Sequence, residues 1–198
     1  MVPPEVAGPA PGDELPHEPS GAATFVEGWS FVAGPSPVAP AIEVELGLRP
    51  TLGDAWFTAR LTGPDDRIVV IVDHALEAPR GPHLEVRAPG LWADHVVEER
   101  LRRWSLGAEA FGVALALAEV SGADLLDPSL RGERVPVGWE LEWENDEDPR
   151  WVGGTAGERR YAAACAVTGE VLVGHDRYEV DAIGHRSHRW GPVPGSTD

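Results

Sequence analysis

Residues 41–62 read AIEVELGLRPTLGDAWFTARLT, and their period decides the fold. Ile42, Val44, Leu46 and Leu48 alternate with Glu43, Glu45 and Gly47, and Ala55, Phe57, Ala59 and Leu61 alternate with Asp54, Trp56, Thr58 and Arg60. Period two gives each run one apolar face and one wet face, which is the mark of a half-buried strand. The pattern continues outward. Gly63-Pro64-Asp65-Asp66 predicts a turn, and the β-branched run Ile68 to Val72 predicts a strand covered on both faces. Trp139, Leu141 and Trp143 alternate with Glu140, Glu142 and Glu144, and Tyr178, Val180 and Ala182 repeat the period near the C-terminus. Val167-Thr168-Gly169-Glu170, set between two apolar runs, predicts a tight hairpin. In Ala108 to Val120 the alternation favours a strand, while the good helix formers leave a helix open. About nine or ten short strands result, so the expected fold is all-β: an antiparallel barrel or a strongly curved β-sandwich.

The chain has 198 residues, 42% of them hydrophobic, enough for a single domain with a real core. Residues 1–22, rich in proline, glycine, alanine and acid, predict a disordered lead-in; 23–191 form the β domain, and 192–198 a flexible tail. A net charge of −17 argues against nucleic acid or anionic lipid as partners. All 16 basic residues are arginines, which excludes Schiff-base chemistry and the phosphate-binding lysine of nucleotide-binding loops. No secretion signal and no membrane span can be read, so a cytoplasmic location is expected. Cys165, the only cysteine, lies in the apolar run 162–167 and reads as a small buried hydrophobe.

The chemistry-bearing residues are few. Among eight tryptophans, Trp56, Trp104, Trp139 and Trp143 fall in strands, where they either pack a core or wall a cavity for an apolar ligand. His185 and His188 stand three apart, which on a strand points them to opposite faces, so no metal site and no cofactor is expected. Asp94-His95 reads as a solvent-exposed polar pair. A nucleophile elbow is absent, and the glycine-rich stretch 153–157 lacks phosphate-binding spacing.

From Tyr161 the sequence runs YAAACAVTGEVLVGHDRYEVDAIGHRSHRWG. Its ending, with Gly184, Arg186, His188, Trp190 and Gly191 in a Gly-x-Arg-x-His-x-Trp-Gly pattern, resembles the carotenoid hydratase and AttH-like superfamily of lipocalin-like β proteins. Ser187 stands where that family usually has aspartate. The resemblance implies a lipocalin-like barrel and places Arg186, His188 and Trp190 at a catalytic site. There His188 would be the proton donor, Trp190 the cation stabiliser and Arg186 the orienting group. Two apart on a strand, the three share one face, and the same row can equally be a structural corner in which Arg186 pairs with a buried carboxylate and Trp190 plugs a barrel end. The family usually carries a second β domain after this motif, so its downstream catalytic partners find no counterpart in this sequence.

Three expectations follow. The first is binding of an apolar small molecule (isoprenoid, polyketide or lipid-like) in a Trp-lined cavity. The second is a hydratase- or cyclase-like enzyme acting on an unsaturated substrate. The third is a half-domain whose exposed edge strands are covered by homodimerisation or by a partner chain.

Overall fold

A computed structural model describes residues 8–19, 24–36, 38–63, 66–80, 83–122, 126–153 and 157–192. Eleven strands form one antiparallel sheet: β1 Phe25–Ala33, β2 Ala41–Arg49, β3 Asp54–Thr62, β4 Arg67–Glu77, β5 Leu84–Ala88, β6 Leu91–Glu99, β7 Arg103–Ala116, β8 Glu133–Glu144, β9 Arg150–Trp151, β10 Arg159–Val173 and β11 Asp176–Pro192. The path β4-β3-β2-β1-β11-β10-β8-β7 returns to its start, because Arg67–Val70 of β4 pairs with Val113–Ala116 of β7. The sheet therefore curves into a closed, barrel-like ring, one of the two all-β arrangements that the alternating sequence leaves open.

Strand β7 makes the closure possible by changing partner along its length. Its first part, Arg103–Ala110, pairs with β6, and only its last residues reach β4. The β5–β6 hairpin is thus splayed from the ring, leaving β5 at one end of the strand order. Ring closure covers most of the edges that the half-domain reading supposed exposed. Ala108–Ala116 is strand, which resolves the open segment, and a 3-10 turn over Leu117–Glu119 follows.

Alternation builds the core. Trp29, Phe31, Ile42, Val44, Leu46, Phe57, Leu61, Trp104, Leu106, Trp139, Leu141 and Trp143 all point inward and are buried. Ile68 and Val70 are also buried, but in a second cluster outside the ring with Leu115 and Leu130, so β4 is covered on both faces as its composition indicates. No helix among the described residues is long and apolar enough to cross a membrane.

Two expectations need correction. The hairpin does not turn at Thr168-Gly169: β10 runs unbroken to Val173 and turns at Gly174-His175, with Val173 opposite Asp176. Gly169 is instead a mid-strand glycine at φ +136°, where an added Cβ would lie 2.1 Å from the Glu140 carbonyl oxygen. The second correction concerns the lead-in. Residues 1–7 and 20–22 lie outside the described residues, but 8–19 follow a defined path across one end of the barrel, with a 3-10 turn over Pro11–Glu14. Residues 64–65 of the expected turn, 154–156 of the glycine-rich loop and 193–198 of the expected tail also lie outside the described residues.

Candidate functional site

Strand β11 delivers the row read from the sequence. Arg186, His188 and Trp190 point inward and are buried, at the end of the barrel crossed by residues 8–19. Pairing in register with β1 sets Arg186 opposite Phe31, His188 opposite Trp29 and Trp190 opposite Glu27.

Arg186 is held by an ion pair that no local signal announces. Its Nη1 donates to Glu14 Oε1 at 2.7 Å, and Nη2 and Nε donate to Asn145 Oδ1 at 3.0 and 3.3 Å. Glu14 is fully buried and also accepts from the Trp104 indole N–H and, at 2.8 Å, from the Leu101 backbone N–H. Asn145 donates to the Leu101 and Glu147 carbonyls, which ties down the β6–β7 turn where Leu101 sits at φ +62°. Each nitrogen of the guanidinium and both oxygens of the carboxylate are therefore hydrogen-bonded, the condition under which a buried ion pair is tolerated. The Arg186 guanidinium lies 5.9 Å from the Tyr161 ring. Burial pushes the Tyr161 phenol far up, and the Glu14 charge adds to the effect, so it stays neutral.

His188 sits beside a second buried carboxylate. Its Nε2 is 2.8 Å from Glu27 Oε1 and its Nδ1 is 2.9 Å from the Asp13 carbonyl oxygen. His17 approaches the same Glu27 oxygen through Nδ1 at 2.7 Å, while its backbone N–H donates to Oε2 at 2.8 Å. Burial acts to raise the Glu27 carboxyl, but the two histidine contacts outweigh it and hold the group below the usual carboxylate range. The rings are stacked in place: His188 on Trp29 with centroids 4.4 Å apart, His17 on Trp190 at 4.1 Å. The structure thus brings Arg186, His188 and Trp190 together, with both ring nitrogens of His188 engaged. A cleft of about 390 Å³, lined by Leu15, Pro16, His17, Glu27, Leu48 and Pro50 among others, opens onto this cluster.

The tryptophans separate. Trp104, Trp139 and Trp143 fill the barrel interior, whereas Trp56 lies half-buried on the outside against Gly47, so the four do not share a wall. Their indole surroundings differ as well. Trp104 donates to Glu14, while the buried Nε1 atoms of Trp139 and Trp143 have no hydrogen-bond partner among the described residues. His95 is also inside, not exposed as its pairing with Asp94 suggested. It packs near Phe31 and Phe57, with neither ring nitrogen partnered among the described residues, and burial drives its pKa down to about 3. Cys165 is buried, and burial raises its thiol pKa, in keeping with an inert hydrophobe.

The opposite end of the barrel is open. Inward-facing Leu61, Val69, Ala114, Val135, Val173 and Tyr178 line a cavity of about 350 Å³, with the Arg67–Glu133 ion pair (2.8 Å), His175 and Asp176 at its rim.

Sequence reasoning missed Glu14, His17, Glu27 and Asn145, and placed His95 on the surface. Three of these had a signal: Glu27 and His95 occupy inward positions in β1 and β6, and Asn145 the next inward position just past β8, where a polar side chain is out of place and must be explained. Glu14 and His17 had none, because their partners lie up to 172 residues away.

No curated protein sequence matches the chain. Among solved structures, a crystal structure of CghA with Sch210972 aligns over 88% of this chain and 90% of that one, at 10% identity and a TM-score of 0.19, too slight a likeness to inform fold or function. The family described as Domain of unknown function (DUF7064) matches residues 10–193, a span that takes in Asp13, Glu14 and His17 as well as the β11 row, and the chain belongs to that family.

Proposed function

We propose that the protein binds an apolar small molecule in the open mouth of its barrel. One observation carries this reading: inward-facing side chains of β3, β4, β7, β8, β10 and β11 line an apolar cavity at one end, while the other end is sealed by residues 8–19. A volume of about 350 Å³ falls at the small end of ligand pockets, and a polar rim over an apolar lining is their usual anatomy. Tyr178 supplies the aromatic surface of the wall. Trp139, two inward positions below Val135 on β8, belongs to the floor and would report occupancy by its fluorescence.

The test uses N-phenyl-1-naphthylamine, a neutral apolar probe. Saturable binding at one probe per chain is expected, with transfer from tryptophan emission, and Val135→Trp should abolish it by filling the mouth. Absence of saturable binding to the wild type, or equal binding to Val135→Trp, contradicts the proposal.

A second reading, a hydratase- or cyclase-like enzyme, is favoured by the assembly of Arg186, His188 and Trp190 beside the cleft at His17 and Glu27. In that reading substrate enters from the cleft, and His188 gives up a proton only when its Glu27 contact opens. His188→Gln separates the readings: turnover is lost under the second, and mouth binding is untouched under the first.

A further inference from the structure

His17, Glu27 and His188 come from three separate parts of the chain, and their ligand-type atoms all lie within 4.8 Å of one another. Two imidazoles and one carboxylate are the ligand set of open zinc sites, which keep a fourth position for water or substrate.

The orientation of the rings is more telling than their proximity. On the far side of each imidazole stands the same residue: the Asp13 carbonyl oxygen is 2.9 Å from His188 Nδ1, and Asp13 Oδ1 is 3.8 Å from His17 Nε2. The acceptor behind His188 favours the tautomer that carries a proton on Nδ1, while the Asp13 carboxylate stands behind His17 beyond hydrogen-bond distance. His17 Nδ1 and His188 Nε2 both face Glu27 Oε1, at 2.7 and 2.8 Å. Contacts of this length are hydrogen bonds to the carboxylate, and a divalent ion would take the place of the shared protons, as metal binding to imidazole does. Metal–nitrogen and metal–oxygen distances near 2.0–2.1 Å place tetrahedral ligand atoms about 3.3 Å apart, so an ion needs these atoms to part by only about half an ångström.

The surroundings supply the remaining requirements. Stacking on Trp29 and Trp190 fixes both ring planes before any ion arrives. The cleft lined by His17, Glu27, Leu48 and Pro50 leaves one side of the cluster reachable. A chain with net charge −17 also draws cations toward it.

We propose that His17, Glu27 and His188 form a mononuclear binding site for a divalent metal ion of the zinc class, with Asp13 as the outer residue that orients His188 and a fourth position open to the cleft. An ion there would also staple residues 8–19 to strands β1 and β11, so the site is independent of the mouth and of what it binds.

The experiment starts from the full chain stripped with a chelator and titrated with zinc chloride by calorimetry, with native mass spectrometry to count ions. The expected result is one ion per chain, and zinc-edge X-ray absorption showing two imidazoles at about 2.0 Å. His17→Ala is the variant of choice because this side chain is partly exposed, and it should lower the affinity at least about 100-fold; His185→Ala, on the outer face, should leave it unchanged. Failure of the wild type to retain one zinc overturns the proposal. So does a spectrum with fewer than two imidazoles, which needs no variant to interpret. Unchanged affinity in a folded His17→Ala overturns it as well.

Discussion

Replacing His95 with leucine should stabilise the protein and flatten its loss of stability in mild acid. His95 is 3% exposed, lies between Leu84 on β5 and Leu106 on β7, and has Phe31 and Phe57 as ring neighbours at 5.7 and 6.1 Å. Neither ring nitrogen has a hydrogen-bond partner among the described residues. At pH 7 the neutral imidazole buries one donor and one acceptor, each carrying a desolvation penalty of about 1–3 kcal/mol. Leucine removes both, against a repacking loss below about 1.5 kcal/mol, for a net gain of about 1–3 kcal/mol.

The pH dependence gives the sharper number. The folded pKa is depressed from 6.5 to about 3, so as pH falls below 6.5 the unfolded chain takes up a proton that the folded chain refuses. The stability contributed by this group is complete above pH 6.5 and drains away until pH reaches about 3. Each unit in that window is worth about 1.4 kcal/mol, so the step from pH 7 to pH 5 removes about 2 kcal/mol from the wild type at this site and nothing from His95→Leu. Urea unfolding at both pH values, followed by tryptophan emission, measures the difference between the two proteins, in which other titrating groups cancel. An equal pH 7 to pH 5 decrement in both proteins would refute the reasoning, as would a leucine variant less stable than wild type by more than about 2 kcal/mol at pH 7.

Other perturbations probe the plugged end and the barrel wall. Glu14→Ala leaves Arg186 buried without its counter-ion and should lower unfolding free energy by about 3–5 kcal/mol, while the double variant Glu14→Leu/Arg186→Met should recover much of that loss in the same denaturation assay. Gly184→Ala should destabilise by about 1–3 kcal/mol, because the added Cβ would lie 2.8 Å from the Trp143 ring and 2.6 Å from the Val32 carbonyl oxygen; a thermal melt checks it.

Period-two alternation made the barrel legible, because a strand that faces a core on one side writes that fact into its own sequence. Residues 41–62 became β2 and β3 nearly residue for residue. Arg186, His188 and Trp190 were placed on one inward face by the same rule. What alternation could not supply was the partner of each inward polar group. Glu14 and His17 lie in a segment whose composition reads as disorder, and they are ordered by long-range hydrogen bonds to Leu101, Trp104, Arg186 and Glu27. Ring closure was illegible for a related reason: β7 gives its two halves to two different strands, and nothing in Ala108–Ala116 marks the change. The turn at Gly174 was misplaced because Gly169, needed for a close mid-strand approach, looks the same in sequence as a turn glycine.

The most direct test of the ligand-binding account is native mass spectrometry of gently purified wild-type protein beside Val135→Trp. The account predicts an adduct on the order of a few hundred daltons on the wild type, leaving on mild activation and absent from the variant. A bare wild-type mass that also fails to take up added N-phenyl-1-naphthylamine, or an adduct retained equally by Val135→Trp, would contradict it.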